Sequence, residues 1–205
     1  MKLSEFLKSK NACLEPIEWS IPYGEDWESA WNACERGDWL LWILGKVDLD
    51  RRKVVYAACQ CARLSLHLIP EGEERPRIAI ETAEAWSRGE VGLEEVKEAV
   101  SAADAAYGDY AAYADDAANA ANAAAYADDA AAYAADAADA AAYAAASAYA
   151  AASASTAASA SASAYAYAYA YADDARKETL LKCAEIVREC ISWGEVESHL
   201  STLGI

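Results

Sequence analysis

Between Ser101 and Ala175, 43 of 75 residues are alanine, and the stretch contains no Leu, Ile, Val, Phe, Lys or Arg. No other feature of the chain restricts its fold so strongly. Alanine is depleted in strands because it offers little to pack on a pleated surface. It also has the highest intrinsic helix propensity, with no side-chain entropy to lose. Low complexity can signal disorder, but a tract this long is not limited by the cost of nucleating its first turn. As one straight helix, 75 residues would run roughly 110 Å at about 1.5 Å per residue, out of proportion to the rest of the chain. The expectation is two or three long antiparallel helices, broken at Gly108 and in the Ser/Thr-rich run from Ala152 to Ser163. Alanine faces would let the axes approach closely, with tyrosines in the grooves. Ala164 to Ala172 alternates Ala and Tyr with the period of a strand. Tyr165 and Tyr169, and Tyr167 and Tyr171, are also four apart. A helix therefore shows two tyrosine ridges, and helix is the expectation here too.

Charge divides the chain in three. Residues 1–92 carry 12 basic and 16 acidic side chains, net −4; residues 93–175 carry 1 and 13, net −12; residues 176–205 carry 4 and 5, net −1. The total of −17 and a pI of about 4.4 repel nucleic acid and anionic membranes and attract basic partners. No residue from Ala140 to Ala172 is charged. That span has only Ala, Tyr, Ser and Thr, without the Leu, Ile, Phe and Val that drive insertion. The opening MKLSEFLKSKNACLE lacks the apolar run and cleavage site of a signal peptide. A soluble, cytoplasmic protein is expected, with its six cysteines (Cys13, Cys34, Cys59, Cys61, Cys183, Cys190) reduced and buried as small apolar residues.

Outside the tract the pattern is ordinary. Asp26 is placed to cap a helix reaching about Arg36, with Trp27 and Trp31 on one face, and Gly37 suits the left-handed position after it. Asp38 then caps a short buried helix, DWLLWIL, ended by Gly45. From Asp50 to Ile69, Val55, Cys59, Ala62, Leu66 and Ile69 mark a core stripe beside a more polar one of Tyr56, Gln60, Arg63 and His67. Pro70 stops that helix and Pro76 opens the next, which shows Ala79, Ala83 and Trp86 on one side and breaks at GEVG. A helix starts at Leu93, with Glu94 and Glu95 favouring its N-terminus. Near the end, Leu180, Cys183, Ala184, Val187, Cys190 and Ile191 form an amphipathic stripe. Trp193-Gly194 breaks it before a last helix, EVESHLSTL.

Chemistry finds little purchase. Cys59, Cys61 and His67 are soft metal ligands, but residues two apart on a helix point about 200° apart, and zinc pairs use wider gaps. The two histidines, His67 and His199, lie on polar helix faces, with no nucleophile elbow or phosphate-cradling glycine loop. Adjacent pairs Asp115-Asp116 and Asp128-Asp129 could serve glycoside hydrolysis, but consecutive helical carboxylates more readily make a solvated or docking face. No twelve-residue calcium loop is present. One threonine, Thr156, falls short of the regular threonine array of alanine-rich ice-binding helices. The pentad Tyr-Ala-Asp-Asp-Ala recurs at Tyr113, Tyr126 and Tyr171, too short a unit for a solenoid. Neither catalysis nor a cofactor is expected.

In order along the chain stand Ala12-Cys13 with Trp19, CERGDWLLWILG (Cys34 to Gly45), AACQCAR (Ala57 to Arg63), EERPRIAIETAEAWSRGE (Glu73 to Glu90), the Ala/Tyr/Asp tract, and LLKCAEIVREC with Trp193. Together they resemble the immunity-protein-five-like family, associated with bacterial polymorphic-toxin systems and also present in phage genomes. The resemblance spans nearly the whole chain, and its specific parts are the tryptophan-rich and AEAW segments. It implies a small cytoplasmic antidote that binds a toxin domain, and it carries no site residues with it.

The expected architecture is all-α: a cluster of short Trp-rich helices packed with a long alanine-rich antiparallel helical hairpin. Residues 1–92 form the Trp/Cys-rich part. Residues 93–205 form the long helices and the C-terminal amphipathic helix of the same structural unit. The candidate partner-binding face is Asp104, Asp109, Asp115, Asp116, Asp128, Asp129, Asp136 and Asp139 with Tyr113 and Tyr126. Its expected partner is a basic toxin domain. The alternative is self-assembly of the alanine helices into a homo-oligomer, because the tract is too poor in Leu, Ile and Val for a large monomeric core.

Overall fold

The computed structural model describes residues 1–68, 71–110 and 163–205, with backbone alone at 65, 68, 104–110 and 163–173. The fold is all-α, and the described residues contain no strand. In order the helices are α1 (Leu3–Ser9), α2 (Leu14–Ser20), α3 (Trp27–Ala33), α4 (Gly37–Lys46), α5 (Arg51–Ala62), α6 (Arg75–Arg88), α7 (Leu93–Tyr110), α8 (Ser163–Cys190) and α9 (Trp193–Leu203), with short 3₁₀ turns at Ile21–Tyr23 and Arg63–Leu68. One hydrophobic core draws on α1 to α9, from Leu3 and Phe6 through Leu44, Val55, Ile80 and Val96 to Val187 and Leu200. α6 packs on α5 and α7, and α8 packs on α4 and α5.

Local signals place most boundaries. Asp26 caps α3 by accepting from the Ser29 N–H at 2.9 Å. Asp50 caps α5 through the Arg52 N–H at 3.0 Å. α6 opens on Pro76 and closes at Gly89, which is left-handed at φ 79° and lets Glu90 N–H reach the Ala85 carbonyl at 2.9 Å. Ala79, Ala83 and Trp86 are buried as their spacing requires, and so are Trp27 and Trp31, Val55, Cys59 and Ala62, and Leu180, Cys183, Ala184, Val187 and Ile191. The Ala/Tyr alternation is helical, since Ser163 to Cys190 is one helix.

Other boundaries move. α3 stops at Ala33, and Gly37 is the first residue of α4 rather than a left-handed terminus. Asp38 lies inside the first turn of α4 and binds Arg36 instead of capping, and the helix runs past Gly45 to Lys46. α5 tightens to 3₁₀ after Ala62, which leaves Leu66 only half-buried, and Ile69 and Pro70 lie outside the described residues. Trp193 and Gly194 begin α9 instead of breaking α8. The break is at Ser192, whose N–H is taken by Glu195 at 3.1 Å. Gly108 does not end α7, which continues to Tyr110. The proposed break between Ala152 and Ser163, and the hairpin itself between α7 and α8, fall on residues outside those described.

Gly37 explains how α4 and α8 meet. A Cβ there would lie 2.4 Å from Cys183 Cβ and 2.7 Å from the Ala184 nitrogen. The bare glycine lets one backbone pass against the other. Arg188 of α8 then donates to the Trp31 and Cys34 carbonyls at 3.2 and 2.7 Å, satisfying acceptors at the end of α3. Between α5 and α6, the buried Glu84 carboxylate accepts from Arg63 Nε and Nη2 at 2.6 and 2.7 Å and from Gln60 Nε2 at 2.7 Å.

Two stability tests follow from these contacts. Gly37→Ala should cost about 3 kcal/mol or more in urea unfolding, at the upper end for overpacking because backbone atoms are in the way. Arg63→Met should cost about 3 kcal/mol by leaving Glu84 buried without its fork, and Arg63→Met with Glu84→Met should recover most of that loss.

Candidate protein-binding surface

Of the residues assigned to the acidic face, Asp104 and Asp109 stand on the backbone of α7. Asp115, Asp116, Asp128, Asp129, Asp136, Asp139, Tyr113 and Tyr126 lie outside the described residues. The described parts of the acidic segment are its two flanking helices. α7 turns Val96, Val100 and Ala103 into the core and leaves Glu94, Glu95 and Glu98 exposed. Lys97, the only cation from Leu93 to Ala175, is drawn to Glu94 at 3.0 Å. On α8 the exposed Asp174 precedes the buried stripe, and Glu178 pairs with Lys182 at 2.7 Å. The acidic segment is thus joined to the core at both ends by helices whose opposite faces are buried.

The described residues also form a concave feature that the sequence pattern does not signal. A cleft of about 350 Å³ opens between the α1–α2 connection and α4, lined by Leu7, Cys13, Pro16, Trp39, Trp42 and Ile43, with Arg36, Asp38 and Glu15 at its polar end. Arg36 holds it together. Its Nε and Nη2 donate to Asp38 at 2.9 and 2.5 Å, Nη1 donates to Glu15 at 3.3 Å, and its guanidinium lies 4.5 Å from the Trp39 ring centroid. Trp39 also packs on Trp19 at 5.5 Å. The Arg-x-Asp-Trp run at the start of α4 was a readable signal for the fork. Glu15, on another helix, was not.

Among the described residues no three His, Cys, Asp or Glu side chains are grouped to hold a metal ion. Cys59 and Cys61 are buried while His67 is exposed, so the three do not converge. His199 bonds the Val47 carbonyl at 2.7 Å and tethers α9 to the end of α4. All six cysteines are free. Burial pushes the Cys34 thiol up to about 12 and raises Cys59. Cys61 is raised by its hydrogen bond with Cys183 and then by burial. Such thiols are poor nucleophiles. Cys13 and Cys190 correct the expectation of uniform burial: Cys13 is exposed ahead of α2, and Cys190 is only half-buried at the end of α8.

Arg75 holds the Glu73 carboxyl well below its ordinary range. Arg75 donates to it from Nε at 2.8 Å, Nη2 at 2.5 Å and its backbone N–H at 3.0 Å. These bonds bring it down from 4.5 to about 2. A folded value below the unfolded one stabilises the fold fully above about 4.5, and that contribution disappears as pH falls through about 2. A carboxyl NMR titration should place Glu73 near 2 and return it toward the ordinary range in Arg75→Met. Iodoacetamide at pH 8 should label Cys13 first, with Cys34, Cys59, Cys61 and Cys183 reacting only after unfolding, as read by peptide mass spectrometry.

Among the described residues, no helix is long and apolar enough to cross a membrane. Comparison with known proteins finds no matching family model, curated relative or solved structure.

Proposed function

We propose that this chain is a non-catalytic binding protein that captures a basic protein domain on its acidic Ala/Tyr/Asp segment, and that the captured domain is a toxin. The observation that carries the reading is the segregation of charge. Residues 93–175 hold a net −12, while the flanking parts hold −4 and −1. A field so concentrated speeds encounter with a cationic partner and rejects anionic ones. Anchoring supports it as well: the buried faces of α7 and α8 fix both ends of the segment to the core. Tyrosines interspersed with the aspartates supply amphipathic contact area of the kind enriched at interfaces. The toxin identity comes from the resemblance of the tryptophan-rich and AEAW segments to the immunity-protein-five-like family, and with it a cytoplasmic location.

The test is capture from native host lysate at low and then physiological salt, followed by Asp→Asn changes at Asp115, Asp116, Asp128 and Asp129. The expected result is a basic, stoichiometric partner that releases as salt rises. The quadruple variant should bind at least tenfold more weakly and with a flatter salt dependence. Unchanged affinity and salt dependence in the variant would overturn the acidic face as the docking surface. Recovery of the bait alone, at a mass above monomer, would favour self-assembly of the alanine helices instead.

A further inference from the structure

We draw no further inference here: the strongest candidate, the Trp39/Trp42 cleft between the α1–α2 connection and α4, has its buried charge Asp38 already forked to Arg36, and nothing in the structure shows what fills it.

Discussion

The contact of Gly37 with Cys183 and Ala184 is the constraint on which the packing of α3, α4, α5, α8 and α9 depends. α8 comes from the far end of the chain, and its apolar stripe must reach the tryptophan helices for either to be covered. Without a Cβ at Gly37, α4 lies directly on α8. That brings Arg188 to the Trp31 and Cys34 carbonyls at the end of α3. It also places Cys183 against Cys61 of α5, whose thiol approaches the Cys183 carbonyl at 3.7 Å. α9 then closes over the same region, with Trp31 and Trp193 rings 6.3 Å apart. A side chain at position 37 would push these contacts apart together, because interiors packed to crystal density have no slack to absorb it.

The charged groups divide by role. Arg36, Arg63 and Arg188 sit at helix junctions, where each guanidinium satisfies a carboxylate or the carbonyls at a helix end. Planar forks suit that work better than an ammonium does. Surface pairs such as Arg77 with Glu74 and Glu81, or Lys53 with Glu195, add little to stability individually. Nearly all basic residues lie outside the acidic segment in sequence.

Some of the site was legible and some was not. The concentration of acidic residues follows from counting charges, but eight of the ten residues assigned to a binding face lie outside the described residues. The Trp39/Trp42 cleft needed tertiary information, because its walls come from α1, α2 and α4 and its polar end joins Glu15 to Arg36. The exposure of Cys13 was equally invisible. It lies just before α2, and only the path of the chain there decides which way the residue faces.

By itself the sequence determined the helical class, the core stripes of α5, α6 and α8, the cap at Asp26, and the distribution of charge. These are local properties, set by propensity, by 3.6-residue periodicity and by composition. Tertiary structure decided what Gly37 is for, why Asp38 binds Arg36 rather than capping α4, and where α9 begins. A glycine is read from sequence as a turn, since its freedom of φ is a local fact, whereas its missing Cβ matters only when another backbone arrives. Asp38 had two possible partners, a helix N-terminus and a guanidinium. Burial beside Trp39 favoured the charged one, because a carboxylate removed from water needs a full opposite charge.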